Sequence, residues 1–234
     1  MKIGILETGH VPEELTGRHG TYPDMFARLL SGHGFDFTTW PVVDGVFPPD
    51  IRACDGWLIT GSRHGAYEPH PWIPPLEDFI RRAYAEGVPL AGICFGHQVM
   101  AQALGGKVEK FAGGWGVGRS RYRLLDNHGD GEELELHAMH QDQVTVAPAE
   151  ARVIASSPFC RNAGLAYRGN AISFQPHPEF DAAFMRDLIS ARAGTLLPEP
   201  QASAALGGLG DEGDAAKIAA RIAAFFRQAA RVAA

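Results

Sequence analysis

The sequence predicts an α/β fold, a three-layer sandwich in which helices cover both faces of a largely parallel central sheet, with an additional C-terminal helix. Three observations support this fold class. Strand-like and helix-like segments alternate through the first half of the 234-residue chain. A cysteine flanked by glycines follows an apolar strand at the point where a helix can begin. The hydrophobic fraction of 45% is ordinary for a globular protein, and the length suits one domain with a short appendage.

The first half of the chain supplies the alternating part of the fold. Its predicted strands are short and apolar, and its predicted helices place apolar side chains on one face. Glycines follow two of these helices and mark their ends. The predicted elements are strands at 2–6, 35–40, 56–60 and 90–93, and helices at 23–31, 72–86 and 97–104.

The middle of the chain changes to consecutive strands. They are predicted at 107–111, 119–125, 133–140, 143–146, 152–155, 163–167 and 171–174. Residues 168–170 form a hairpin turn between the last two of these strands, and residues 181–193 form a helix.

Composition changes again after the helix that ends near residue 193. Residues 1–193 are predicted as one domain, and residues 194–210 are rich in Pro, Gly and Ala and form a linker or an ordered excursion. Residues 211–234 form a strong amphipathic helix that packs either on the domain or on a partner, including a second copy of the chain.

Cys94 lies in the run Gly92-Ile93-Cys94-Phe95-Gly96. A sharp turn from a strand into a helix with a nucleophile at its tip is a nucleophile elbow, and the flanking glycines leave room for so tight a turn. The N-terminal amides of the following helix favour a thiolate. Elbow geometry also predicts that the backbone N–H of Phe95 stabilises an oxyanion. The alternative interpretation is a small buried hydrophobic residue.

A base for this thiol is predicted in the run Gln175-Pro176-His177-Pro178-Glu179. The two prolines keep the segment extended, and alternate residues of an extended segment point to the same side. His177 and Glu179 therefore face one site. Together with Cys94 they form a predicted Cys-His-Glu triad, in which the imidazole moves the thiol proton and the carboxylate orients the ring. Taken alone, a His-Pro-Glu run is usually a loop.

Composition excludes several other classes of function. The net charge is −6, with 21 basic and 27 acidic residues, and the absence of a long basic block argues against nucleic-acid binding. No apolar run reaches membrane-spanning length, and the first residues form a strand rather than a signal peptide. Three widely spaced cysteines do not predict a disulfide framework, so a reducing cytoplasm is expected.

Histidines raise the question of a metal site. His64, His70, His137 and His140 are the candidates, but their spacings match no compact ligand set. His137 and His140 are expected on opposite faces of a strand. No metal and no cofactor is therefore predicted, and His97 is predicted to be structural.

Motifs around these residues carry a resemblance to a known family. The run from Gly92 to Gln98, followed by His177-Pro178-Glu179, resembles the class I glutamine amidotransferase family. The resemblance spans residues 1–193 and is greatest to stand-alone members, including γ-glutamyl peptidases. Weaker stretches fit the same family, namely Ile59-Thr60-Gly61-Ser62, His70-Pro71-Trp72, Gly114-Trp115-Gly116-Val117-Gly118 and His140-Gln141-Asp142-Gln143-Val144.

The resemblance implies roles for further residues. The backbone N–H of Gly61 is the second oxyanion donor, in a position where many members carry a pair of glycines and this chain has Gly61-Ser62. Gln98 holds the substrate, Trp115 borders the slot for the γ-glutamyl group, and the backbone around Gln141 and Asp142 contacts the substrate. For Gln98, a helix-capping or core role is the alternative.

The function implied is Cys-dependent hydrolysis of glutamine or a γ-glutamyl amide through a γ-glutamyl thioester. The chain has no room for a synthetase domain, so any use of the ammonia requires a synthetase-type partner protein. Two alternatives remain open at this point. One is a γ-glutamyl peptidase that acts on glutathione-like compounds without a partner, and the other is a catalytically silent regulatory subunit with the same fold.

Overall fold

The computed structural model describes residues 1–125, 131–210 and 213–233, with the backbone alone for 230–233. The predicted start of the last helix at residue 211 and the final residue 234 lie outside this part. The strands are β1 (Lys2–Leu6), β2 (Asp36–Trp40), β3 (Gly56–Ile59), β4 (Leu90–Ile93), β5 (Lys107–Lys110), β6 (Gly116–Leu124), β7 (Glu133–His140), β8 (Asp142–Val146), β9 (Ala151–Ser156), β10 (Gly164–Tyr167) and β11 (Ala171–Phe174). The helices are α1 (Glu13–His19), α2 (Tyr22–Leu29), α3 (Ile73–Ala85), α4 (Phe95–Ala103), α5 (Ala182–Arg192), α6 (Glu199–Gly207) and α7 (Ala215–Ala233).

The central sheet of the described chain has nine strands in the order β2-β1-β3-β4-β11-β10-β9-β6-β7. The strands from β2 to β11 in this order are parallel. The remaining pairings, from β11 to β7, are antiparallel. β5 and β8 form a separate antiparallel ribbon. The predicted α/β sandwich is confirmed, and its parallel half comes from the alternating first half of the sequence, completed by β11.

Side chains of the parallel strands alternate between two buried cores. Ile3, Ile5 and Leu58 pack in one core with apolar side chains of α2 and α7. Trp57 and Ile59 pack in the other core with side chains of α3 and α4. Because both faces of these strands are covered, their sequences are almost continuously apolar.

The C-terminal segment contacts the domain. Ile218, Ile222 and Phe226 of α7 are buried in the core beneath β1 and β3. A Cβ built on Gly56 would lie 2.9 Å from the Phe226 ring, so this glycine allows the helix to approach the sheet closely. The described part of α7 therefore packs on the domain, and packing on a partner stays a prediction.

Two helices were missed in the sequence analysis. α1 is only seven residues long, starts after Pro12 and contains Gly17, so its helical signal is weak. α6 lies inside the segment predicted as a linker or ordered excursion, and it contacts α5 and β6 in a shared apolar cluster. Both helices are stabilised by tertiary packing more than by their own propensity. No helix in the described ranges has the length and apolarity needed to span a bilayer.

Candidate active site

Three neighbouring parallel strands end at the candidate site. β3 leads into Thr60 and Gly61, β4 leads into Cys94, and β11 leads into the segment that contains His177. The carboxyl ends of parallel strands meet at one edge of a sheet, where α/β proteins place their ligands. Residues that are more than 100 positions apart in the sequence are thereby brought together.

Cys94 has the strained backbone of a nucleophile elbow. Its φ is 53° and its ψ is −103°, a conformation that non-glycine residues rarely adopt. Its N–H donates to the carbonyl oxygen of Phe174 at 2.9 Å, which ties the turn to β11. The side chain is buried, and Phe95 begins α4 directly after it. The elbow predicted from the sequence is present.

The two flanking glycines are required by close backbone approach. A Cβ on Gly96 would lie 2.3 Å from the carbonyl oxygen of Ile59, and one on Gly92 would lie 2.6 Å from the backbone of Gly96. Both distances are shorter than any real Cβ contact. The β3 end, the elbow and α4 are therefore packed against one another without side chains between them.

A Gly96→Ala substitution is expected to displace the elbow. The methyl group meets backbone, which cannot rotate away, so we expect a loss of about 1–3 kcal/mol in the free energy of unfolding together with reduced reactivity of Cys94. Urea unfolding and the rate of thiol alkylation measure the two effects. The matched control is Gly17→Ala in α1, where the added methyl has open space and is expected to stabilise the helix by roughly 0.5–1 kcal/mol. Equal stability of the two variants contradicts this account of the elbow.

His177 is held on several sides. Its Nδ1 lies 2.7 Å from Oε1 of Glu179, and its ring stacks on Phe180 with centroids 3.9 Å apart and an interplanar angle of 6°. Its backbone N–H donates to the carbonyl oxygen of His137 at 2.8 Å. Because Glu179 occupies Nδ1, the other ring nitrogen is left for Cys94, with which His177 also interacts. The predicted alignment of His177 and Glu179 on one side is confirmed by this contact.

Electrostatics distinguish His177 from the neighbouring histidines. Burial lowers the pKa of His177, but the Glu179 carboxylate and the Cys94 side chain outweigh that effect and raise the pKa to about 10. Burial lowers the pKa of His97 to about 3 and the pKa of His140 to about 4. Burial also lowers the pKa of His137. Among these four buried rings, His177 alone is favoured as a cation near neutral pH.

Thr60 and Gly61 form a fixed turn beside the elbow. The Thr60 carbonyl oxygen accepts from the Thr8 hydroxyl at 2.9 Å and from the Gly96 N–H at 3.1 Å. A trans peptide points its N–H opposite to its carbonyl, so these two bonds fix the direction of the Gly61 N–H. A Cβ on Gly61 would lie 3.0 Å from the His177 ring and 3.7 Å from Cβ of Cys94. Gly61 is therefore in contact range of both predicted catalytic side chains.

A cavity of about 260 Å³ opens beside Cys94. Four predicted substrate-contacting residues line it together with Cys94, namely Gln98, Trp115, Gln141 and Asp142. A second cavity of about 900 Å³ is lined by both His177 and Glu179. Cys94 thus lines the smaller cavity, whereas His177 and Glu179 line the larger one.

Hydrogen bonds order the wall of the smaller cavity. The Gln98 amide donates to the Asp142 carbonyl oxygen at 2.9 Å and to Oε1 of Gln175 at 3.1 Å. Both amide hydrogens of Gln98 are engaged, so Gln98 positions the strand that contains Asp142.

The Asp142 carboxylate accepts from the Tyr67 hydroxyl at 3.1 Å. The Trp115 carbonyl oxygen accepts from Gln201 of α6, so the segment after residue 193 also supports the cavity.

Sequence reasoning missed several residues of this site. Phe180 follows Glu179 directly, so the sequence already places it next to the predicted triad. Its stacking on the imidazole, however, depends on the turn before α5. Gln175 begins the recognised run and holds Gln98. Tyr67 lies in the long loop between β3 and α3, and nothing in the sequence signals its contact with Asp142.

The same loop brings together two of the histidines considered as metal ligands. The prediction that their spacings give no compact set is wrong for His64 and His70, whose rings lie 4.1 Å apart next to Glu68. Spacing was judged for regular elements, whereas this loop folds back on itself. His137 and His140 instead make separate hydrogen bonds, in which Nδ1 of each ring donates to a carbonyl oxygen, that of Phe180 for His137 and that of Asp142 for His140.

Comparison with known proteins agrees with this geometry. Residues 50–189 match the sequence model of the family described as glutamine amidotransferase class-I. The chain therefore belongs to the class I glutamine amidotransferase family. It is similar to γ-glutamyl peptidase 4 of Arabidopsis thaliana, with 31% identity over 182 residues that cover 73% of this chain and 72% of that protein.

Two further relatives extend the comparison. The glutamine-hydrolyzing GMP synthase of Azoarcus sp. is 31% identical over 190 residues, which are 76% of this chain but 34% of that protein. The crystal structure of a glutamine amido transferase from Methylobacillus flagellatus has a TM-score of 0.75 at 25% identity, with 98% of this chain and 92% of that chain covered. The fold predicted from the sequence is confirmed by this likeness.

Proposed function

We propose that the protein hydrolyses the side-chain amide of glutamine or of a γ-glutamyl compound through Cys94, His177 and Glu179. The observation that supports this best is the arrangement of His177, which bonds Glu179 with Nδ1 and interacts with Cys94 from its other side. The same three residue types, in this order and on this fold, fit the chemistry of a cysteine nucleophile with a paired base.

The reaction follows from these positions. The Cys94 sulfur attacks the γ-carbonyl carbon, and His177 holds the thiol proton and passes it to the leaving nitrogen. Ammonia or an amine departs, and a γ-glutamyl thioester remains on Cys94. His177 then removes a proton from water, which attacks the thioester carbon and releases glutamate and the free thiol. Glu179 keeps the imidazole oriented and stabilises its protonated form.

Two backbone donors are assigned to the oxyanion. Phe95 is the first residue of α4, and the first N–H groups of a helix have no partner within the helix. The Gly61 N–H is fixed in direction by the bonds to Thr60 and lies beside Cys94. Loss of one such donor typically costs about 2.7–4 kcal/mol of transition-state stabilisation.

The smaller cavity fits a zwitterionic γ-glutamyl group. Carboxylates of Glu68 and Asp142 and the cationic side chains of Arg63, Lys110 and Arg192 line the same space. The α-amino group pairs with Asp142 in this proposal, whereas Gln98 and Gln141 shape the wall and Trp115 borders the slot. Burial raises the pKa of Asp142, and an arriving ammonium group favours its charged form.

A second candidate function is hydrolysis of γ-glutamyl peptides without a partner. The cationic residues favour it, because all three line the cavity and a peptide adds a further carboxylate after the scissile amide. The similarity to a γ-glutamyl peptidase supports the same candidate. The similarity to part of a GMP synthase instead supports glutamine hydrolysis with a synthetase-type partner. A reducing compartment such as the cytoplasm suits either, since all three cysteines are free thiols.

A substrate panel separates these functions. Glutamate release is measured from glutamine, from a γ-glutamyl dipeptide and from the same dipeptide with its C-terminus amidated, each with and without candidate synthetases. Release from the dipeptides without a synthetase supports the peptidase, whereas release from glutamine that requires a synthetase supports the function with a partner. If the cations bind the peptide carboxylate, Lys110→Met and Arg63→Met raise KM for the acid dipeptide by about tenfold each and leave the amide unaffected. Arg82→Met on the surface of α3 is the control. No release from any substrate, with any partner, favours the silent regulatory subunit.

A further inference from the structure

The loop between β3 and α3 contains a cluster that the proposed reaction does not use. It consists of His64, Glu68 and His70, and one ligand atom of each lies within 4.8 Å of the other two. Nε2 of His70 lies 2.8 Å from Oε2 of Glu68, and Nδ1 of His64 lies 3.6 Å from the same oxygen. Two imidazole nitrogens and one carboxylate oxygen thus lie close together, with His70 and Glu68 at hydrogen-bond distance.

These distances suit a bound metal ion. With metal–ligand bonds of about 2.0–2.1 Å and tetrahedral angles, two ligand atoms lie about 3.3–3.4 Å apart. The observed values of 2.8 Å and 3.6 Å fall on either side of that separation, and the two imidazole nitrogens lie within 4.8 Å of each other. Imidazole nitrogen together with carboxylate oxygen is a ligand set that Zn²⁺ and its neighbours in the first transition series accept.

The cluster is also built on a fixed backbone. The Glu68 N–H donates to the Gly65 carbonyl oxygen at 3.0 Å, and the His70 N–H donates to that of Glu68 at 2.8 Å. Both imidazoles contact the buried indole of Trp72, with ring centroids 5.9 Å away for His64 and 6.0 Å away for His70. The ligands are therefore preorganised, and a metal ion need not order a flexible loop.

We propose that His64, Glu68 and His70 form a binding site for a divalent transition-metal ion such as Zn²⁺, with the remaining coordination positions open to water. His64 and Glu68 also line the cavity beside Cys94, so the ion lies at the wall of the candidate active site. The site is distinct from the thiol and imidazole of the proposed triad. It does not depend on the proposed hydrolysis, and either proposal can fail without the other.

The test measures Zn²⁺ binding directly. Chelator-treated protein that contains Cys94→Ser is titrated with Zn²⁺ against a chromogenic chelator, so that the catalytic thiol cannot act as a ligand. We expect one ion per chain. His64→Gln, Glu68→Gln and His70→Asn, each added to this background, weaken binding by at least about tenfold. His33→Gln is the matched control and leaves binding unchanged, because His33 stacks on Phe35 and is not part of the cluster.

A spectroscopic readout identifies the ligands. Co²⁺ bound to protein with an intact Cys94 is expected to show the visible absorption of a nitrogen and oxygen site without a thiolate charge-transfer band. Circular dichroism of each variant verifies that it is folded. Absence of stoichiometric binding overturns the proposal, and so does binding that survives all three ligand substitutions or that disappears with Cys94→Ser alone.

Discussion

Replacement of Cys94 by alanine is expected to lower kcat for the best γ-glutamyl substrate by at least about 10⁴-fold while the protein remains folded. The substitution removes the atom that forms the thioester, and no other nucleophile in the described site occupies the elbow. Alanine fills nearly the same space at this buried position, and the strained turn is held by the Cys94 N–H bond to Phe174, which alanine retains. Release of glutamate and circular dichroism measure the two quantities.

The control for this experiment is Cys54→Ala. Cys54 is also a buried free thiol, but it packs in the core with α3 and lies away from the cavity. We expect it to lose some stability and to keep its activity. Persistent turnover by the Cys94 variant, or equal loss in both variants, contradicts the assignment of Cys94 as the nucleophile.

Replacement of Glu179 by glutamine is expected to lower kcat/KM by about 10²–10⁴-fold. It is also expected to lower the pH at which kcat/KM falls on the alkaline side of its pH profile. Glutamine keeps the shape of the side chain but removes the charge that does most to hold His177 protonated against the effect of burial. The pKa of His177, about 10 in the native protein, then falls. A pH series of kcat/KM measures the shift, and Glu133→Gln on the exposed side of β7 is the control.

The same charge couples folding to pH. His177 has a pKa raised from 6.5 to about 10 in the folded state, so its contribution to stability is fully present below pH 6.5 and is lost as pH rises through 10. Between these limits the folded chain binds more protons than the unfolded chain, and the free energy of unfolding falls as pH rises. Glu179→Gln is expected to show a shallower fall from pH 7 to pH 10. An unchanged slope contradicts the pairing of His177 with Glu179.

Much of the site could be predicted from local sequence, because its residues act through short-range rules. The elbow at Cys94 follows from glycine spacing after an apolar strand, and the common orientation of His177 and Glu179 follows from an extended segment between prolines. The bounds predicted for β4 and β11 agree with the structure, since both strands are buried apolar runs limited by turns.

The remainder depended on tertiary packing that no local pattern encodes. The cluster of His64 and His70 arises from a loop folded against Trp72, and the stacking of Phe180 arises from the turn before α5. The antiparallel half of the sheet also joins strands that are distant in sequence, as in the pairing of β6 with β9. Such contacts are decided by the whole fold rather than by spacing.

Rapid acid quench of the reaction, followed by intact-protein and peptide mass spectrometry, tests the central claim most directly. With glutamine or a γ-glutamyl dipeptide, the Glu179→Gln protein is expected to accumulate the mass of one γ-glutamyl group on the peptide that contains Cys94, and the Cys94→Ala protein none. Glutamate formation by the native protein with no such adduct in any variant, or an adduct on a different residue, contradicts the account.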